Sequence, residues 1–170
     1  MKNSYIYFRL YSEKIPNTMQ TPEHELLEQY DIEIFIPSFF HLKKHQAKEY
    51  IYLFWFLFTR GEYRIIYLKE DDKIIHYTHL LPKFFKFPFM HSKDLEIGPA
   101  WTDERYRGKG IFTTVLSYLL TQFKERERVF YIFAHKDNLS SQKVIVNAGF
   151  TKWKIGYKTD ILGIYKVENR

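Results

Sequence analysis

At 170 residues, 45% hydrophobic, with seven glycines and six prolines, the chain fits one ordinary domain with a full core, spanning residues 1–170; a disordered or fibrous chain is excluded. It has no cysteine, which removes disulfides, thiolate metal sites and a cysteine nucleophile. A net charge of +6 suits anionic partners (nucleic acid, a membrane surface or a phosphorylated small molecule) or a merely solvated surface, and does not choose among them.

The N-terminus, "MKNSYIYFRLYSEK", lacks the basic, then apolar, then small-residue order of a secretory signal, so a cytoplasmic location is expected. Ser4–Tyr11 has strand composition. Thr21–Tyr30 reads as a helix, with Thr21 as cap and Pro22 at the first helical position. "DIEIFI" reads as a short strand, and His45–Phe58 as a second helix. The run Ile51–Phe58 is apolar on all sides but far shorter than the ~20 residues a membrane span needs. It is read as core, with a subunit or membrane-surface contact as the second reading. A homodimer is a further expectation.

Glu62–Leu81 reads as two strands joined by a tight turn at Glu70–Lys73. "PKFFKFPFM" carries two prolines and is expected to be a loop, and Asp94–Trp101 a further strand. Phe112, Val115, Leu116, Leu119, Leu120 and Phe123 follow the i, i+3, i+4 spacing of a core-facing helix. Arg128–His135 reads as a buried strand. A short helix follows, capped by Asp137 or Asn138 and stopped at Gly149, and two strands with a turn near Asp160 close the chain. The order gives an α/β domain with a mixed sheet and helices on both faces.

Between the strand ending at Trp101 and the helix after it stands "RYRGKGIF". A glycine-rich turn that opens a helix gathers unbonded backbone N–H groups at the positive end of the helix dipole, where phosphate binds. Arg105, Arg107 and Lys109 add positive charge there. "GKGIFTT" does not supply a Walker loop, and "RYRGKG" has too few glycines, too late in the chain, for a dinucleotide fingerprint.

"RGKGIF" resembles the Arg/Gln-x-x-Gly-x-Gly/Ala loop of the GCN5-related N-acetyltransferases, and "DNLSSQKVIVNAGF" resembles their second signature, an Asn opening a helix that ends in Gly-Phe. The resemblance implies that family's fold, a mostly antiparallel central sheet, from Ser4 to Val167. It also implies acetyl-coenzyme A as co-substrate, with the amides of Arg107, Gly108, Lys109, Gly110, Ile111 and Phe112 around its pyrophosphate and Arg105 nearby. The strand Leu95–Trp101, with Ile97, Gly98 and Trp101, would pair with the pantetheine arm, and Asn138 and Ser141 would hold that arm from the second helix. The thioester would sit where strands 94–101 and 128–135 splay apart.

Two positions depart from the family pattern. Phe112 replaces a Gly or Ala, so its ring must turn into the core. Ile145 stands where many relatives carry a Tyr proposed to protonate the leaving thiolate.

Amine attack on a thioester needs a neutral amine, donors for the oxyanion and a proton for sulfur. Glu96 is the first candidate for base, because its strand should flank the thioester. His135 is a candidate base or acid, and Tyr131 and Tyr157 are candidate acids. His76 and His79 are not a metal pair, since three-residue spacing on a strand sends them to opposite faces. His41, His45 and Glu49 lack a further ligand, so no metal is expected.

The acceptor is expected to be a small-molecule amine. The blocks "HYTHLLPKF", "DLEIGPAWT" and "YRGKGIF" look similar to acetyltransferase-like members of bacterial surface-polysaccharide pathways. That similarity implies an amino sugar, with Lys83, Lys86 and Lys93 suited to the phosphates of a nucleotide-linked one. The rival readings are acetylation of a protein N-terminus or lysine, a coenzyme-binding module without catalysis, and a nucleic-acid or membrane-surface binder stacking on "PKFFKFPFM". The primary reading expects no nucleic-acid partner.

Overall fold

The structure is a computed structural model that describes residues 4–19, 28–36, 54, 56–124 and 127–168. The expected helices at 21–30 and 45–58 and the His41, His45 and Glu49 trio lie mainly or wholly outside those residues. Eight strands form one sheet: β1 (Ser4–Tyr11), β2 (Asp31–Phe35), β3 (Arg64–Glu70), β4 (Lys73–Pro82), β5 (Leu95–Thr102), β6 (Val129–His135), β7 (Thr151–Lys158) and β8 (Tyr165–Val167). Their spatial order is β2-β3-β4-β5-β6-β1-β7-β8, and every pairing is antiparallel except β5 with β6. Helix α1 (Ile111–Gln122) links β5 to β6, and α2 (Leu139–Asn147) links β6 to β7.

The local rules that predict these elements are visible in them. Asp71 and Asp72 both take positive φ, 47° and 61°, as the two-residue turn between β3 and β4 requires of residues that match strand twist. Asn138 caps α2, its Oδ1 accepting from the Ser141 amide at 3.1 Å, and Gly149, at φ 90°, ends it. The last hairpin is shorter than expected: Ile161 and Leu162 stay in the exposed loop before β8 instead of entering it.

The sheet has two unlike faces. On one, Ile111, Val115, Leu116, Leu119 and Leu120 of α1 and Ile145 and Ala148 of α2 close over Leu80, Leu95, Ile97, Phe130 and Ile132. Both described helices therefore pack on this face. On the other lie Tyr63, Ile65, Tyr67, Leu81, Phe84, Phe87, Met90 and Tyr131. Residues 83–94, the expected loop, cover part of this second face, with Phe84, Phe87 and Met90 buried. Asp94 fastens the end of that loop: its Oδ2 accepts from the His91 amide at 2.7 Å, and its Oδ1 from the Val129 amide of β6 at 3.1 Å. Phe84 and Phe87 of this segment thus belong to the core, whereas Phe85 is exposed.

Candidate active site

β5 and β6 are adjacent and parallel, so their C-terminal ends lie at the same edge of the sheet, and each runs on into a turn and a helix. They pair only at Leu95 with Phe130 and Glu96 with Tyr131. Beyond those two rungs no pairing continues, and α1 and α2 begin in the chain after β5 and β6 respectively. This is the splay the sequence reading asks for, and each helix start carries unbonded amides at the positive end of its dipole.

The loop entering α1 is built by its own side chains. Asp103 caps the 3-10 turn Glu104–Tyr106 by accepting from the Arg105 amide at 3.1 Å, and the Arg105 guanidinium forks onto the same carboxylate at 3.1 and 3.0 Å. Those hydrogen bonds hold the Asp103 carboxyl down at about 2. Arg107 donates to the Thr102 carbonyl at 3.1 Å and to Glu104 at 3.3 Å. The Tyr106 hydroxyl donates to Glu70, tying the loop to the β3–β4 turn, and Lys109 Nζ lies 5.0 Å from the centre of the Tyr106 ring.

Arg105 and Arg107 are thus engaged in exposed ion pairs. Such pairs are weak, so a phosphate could exchange for them. The backbone is the better cradle. Gly108 and Gly110 take φ of 77° and 79°, and a side chain at Gly108 would meet nothing within 4 Å. Thr114 is the first residue of α1 whose amide closes on a helix carbonyl, that of Gly110 at 3.0 Å, so the amides before it are left for a ligand. Phe112 does turn inward: its ring packs against the helix-face core and lies 6.0 Å from His76.

Across the gap, Asn138 Oδ1 accepts from both the Ser141 amide and the Ser140 hydroxyl, the latter at 2.9 Å. The Asn138 amide donates to the His135 carbonyl at 2.9 Å, fixing the turn between β6 and α2. Ile145 is 1% exposed and packs in the helix-face core, so the second departure from the family pattern is a packing residue.

Glu96 and Tyr131 meet as register partners at the last rung before the splay. Glu96 is 3% exposed, its Oε2 has no hydrogen-bond partner, and burial pushes its carboxyl well above the usual carboxylate range. Its Oε1 lies 2.9 Å from the point that a side chain on Gly98 would occupy, so the carboxyl folds over that glycine. Tyr131 sits between the rings of Phe89 and Trp153, each 5.5 Å away, and burial pushes its phenol up to about 12.

His135 lies four residues further along β6, about 13 Å at strand rise. Its Nδ1 is 3.4 Å from an Asp137 carboxylate oxygen and its ring is edge-on to Tyr5. Tyr157 is on β7, separated from β6 by β1, and does not join the group. Trp101 packs flat on Tyr77, centroids 5.6 Å apart.

His76 and His79 do face opposite ways. His76, fully buried on the helix face, has Nδ1 2.8 Å from the Thr102 hydroxyl and Nε2 2.7 Å from that of Thr78, and burial lowers its pKa to about 4. His79 is on the aromatic face, hydrogen-bonded through Nδ1 to the Tyr63 phenol. The sequence reading weighed it only as a metal ligand. Its place beside Glu96 comes from strand register, which no motif reports.

Residues 27–150 match the acetyltransferase (GNAT) family. The chain belongs to that family. Among curated proteins none matches. Of solved structures, it is similar to an acetyltransferase of the GNAT family from Colwellia psychrerythraea, with 19% identity over 89% of this chain and 53% of that one, TM-score 0.56. It is also similar to a GCN5-related N-acetyltransferase-like protein from Streptococcus suis, with 16% identity over 92% of this chain and 61% of that one, TM-score 0.59. A third is a glucosamine N-acetyltransferase region of a fungal multi-domain β-N-acetylglucosaminidase, with 12% identity over 90% of this chain and 20% of that one, TM-score 0.56. At these identities the likeness concerns the fold. The chain spans between 20% and 61% of the length of these structures.

Proposed function

We propose that this GNAT-family chain moves an acetyl group from acetyl-coenzyme A to the primary amine of a small molecule, with amino sugars as the acceptor class. The observation that carries the reading is the fork of β5 and β6, each followed by a helix, with a buried carboxyl, one of whose oxygens has no partner, at its base. The residues present fit the coenzyme: the Gly108–Phe112 amides for the pyrophosphate, the edge of β5 from Ile97 to Trp101 for the amides of the arm, and Asn138 with Ser141 opposite.

The coenzyme supplies an activated thioester; overall, an amine and a thioester become an amide and a thiol, the nitrogen losing one proton and the sulfur gaining one. Glu96 receives the amine proton. Raised by burial, it is a stronger base once ionised than an exposed carboxylate, which brings it nearer the operating pH of a general base. Tyr131, its register partner, is kept protonated by its surroundings and is the group from which sulfur is protonated, the proton on Glu96 then restoring it; His135, about 13 Å further along β6, stands outside that pair.

The amino-sugar assignment draws on the block similarities at 76–84, 94–102 and 106–112, and on the glucosamine-acetylating neighbour, whose fold this chain shares. The phosphates of a nucleotide-linked sugar would meet Lys83 and Lys93, both exposed, and Lys86, which is half-buried beside Lys158.

Calorimetry with acetyl-coenzyme A tests the reading. Wild type should bind, and Gly108→Val, which forces a branched residue to positive φ and covers the amides, should lose about tenfold or more in affinity. Equal affinity in the two proteins would remove the cradle.

A further inference from the structure

His79 sits at an irregularity of the sheet. Thr78 pairs with Ala100 and Leu80 with Ile97, so β5 sets two residues, Gly98 and Pro99, against the single residue His79 of β4. A bulge of this kind re-aims side chains beside a site. Gly98 has no side chain, and the Glu96 carboxyl fills its place. Glu96 itself pairs with Leu81, two residues from His79, so Glu96 and His79 are diagonal neighbours on the aromatic face, roughly 7–8 Å apart. The carboxyl folds over Gly98, towards the bulge that faces His79.

The imidazole is held tightly. Tyr63 lies parallel to it, centroids 5.7 Å apart and planes at 12°, with its hydroxyl on Nδ1, and Tyr77 packs edge-on at 5.4 Å. Burial lowers the His79 pKa to about 4, so the ring is neutral under ordinary conditions. A neutral imidazole carries one donor and one acceptor, and the bond at one nitrogen sets the other. A phenol donates readily to an imidazole nitrogen. With Tyr63 donating to Nδ1, the hydrogen of His79 resides on Nε2.

We propose that His79, through Nε2–H, recognises a hydroxyl on the carbon next to the acceptor amine while Glu96 takes the amine proton, so that the acceptor is a vicinal amino alcohol and not a plain alkylamine. This rests on the acetyl-transfer reading. A proton-accepting role suits His79 less, because a ring so reluctant to charge is a weak base towards an amine, whereas a neutral ring is a steady donor. A site built to bond a hydroxyl penalises an analogue that lacks it, because its own polar group is then left unpaired.

Two experiments test this. In long-range proton–nitrogen NMR of labelled histidines, His79 should show the Nε2–H tautomer without charging around neutral pH, and Tyr63→Phe should mix the tautomers. An Nδ1–H tautomer or an imidazolium in the wild type overturns the proposal. In a thiol-release assay at saturating acetyl-coenzyme A, wild type should favour glucosamine over cyclohexylamine in kcat/KM by about a hundredfold or more. His79→Ala should bring that ratio within about tenfold and leave the KM for acetyl-coenzyme A unchanged, and His79→Gln, which keeps an N–H, should restore most of the preference. A ratio unaltered by His79→Ala, with coenzyme binding intact, sinks the role of His79 alone. Failure of wild type to bind acetyl-coenzyme A would sink the acetyl-transfer reading instead.

Discussion

The two faces of the sheet treat their buried polar groups differently. On the helix face, His76 has a hydroxyl at each ring nitrogen, and Ser117 and Thr114 donate to the carbonyls of Met19 and Gly110. That face mixes aliphatic side chains with Phe8, Phe130 and Phe150 and is covered by α1 and α2. On the aromatic face, Glu96 is buried with one oxygen unpartnered, beside a histidine whose described hydrogen bond involves only one nitrogen. The helix face satisfies its polar groups within the fold. The other face buries a costly carboxyl, the trade expected where a site and not stability sets the residue.

The largest expected effect tests the helix face as the source of stability. Leu116 is fully buried at the centre of α1, and Leu116→Ala should destabilise the protein by about 2–5 kcal/mol in urea unfolding. A loss below ~1 kcal/mol would mean that the face repacks and that the contrast is overdrawn.

The second effect tests the contrast in buried charge through pH. His76 has a folded pKa near 4, below its ordinary 6.5, so the unfolded chain binds a proton first and stability falls as pH drops from 6.5 towards 4. The loss approaches about 3 kcal/mol at 1.36 kcal/mol per unit. Glu96 works the other way. Its folded pKa is raised above 4.5, so the folded protein keeps a proton that the unfolded chain releases, and stability falls as pH rises above 4.5. His76→Gln should therefore flatten the acid limb of the stability profile, and Glu96→Gln the alkaline limb, making the protein more stable than wild type at high pH while slowing turnover. An alkaline limb unchanged by Glu96→Gln would show that the carboxyl is already paired.

The smallest effect sharpens the role of the loop. Tyr106→Phe removes the tether to Glu70 and should lower the melting temperature slightly, with a modest fall in coenzyme affinity by calorimetry. Coenzyme affinity lost altogether would mean that the loop, and not the start of α1, sets the cradle.

Much of this is legible in the sequence. The α1 stripe, the Asn138 cap, the Asp-Asp turn and the two glycines of the loop depend on neighbours within a few residues, and each lies where local rules put it. Glu96 and Tyr131 were also within reach, since each is marked by its place on a strand flanking the expected gap. His79 was not. Period-two alternation gives its face, but its position against Gly98 and Pro99 depends on a register shift with a strand some twenty residues away. The ion pairs of Arg105 and Arg107 were missed because a charge run says nothing of which acid each cation meets.

The sequence by itself determined which segments are strands and helices, where an anion could be held and which family the two signatures resemble, because those are matters of local periodicity, capping and φ. The tertiary structure alone decided that β1 inserts between β6 and β7, that residues 83–94 tuck Phe84 and Phe87 onto the aromatic face, and that Glu96 is buried over Gly98, at the bulge that faces His79. Those outcomes rest on contacts between residues far apart in the chain, such as Tyr5 with His135 across the β1–β6 ladder, and on how completely apolar side chains exclude water from a polar one. Alternation along one strand specifies a face but not a neighbour, and the neighbour is what gives a buried group its chemistry.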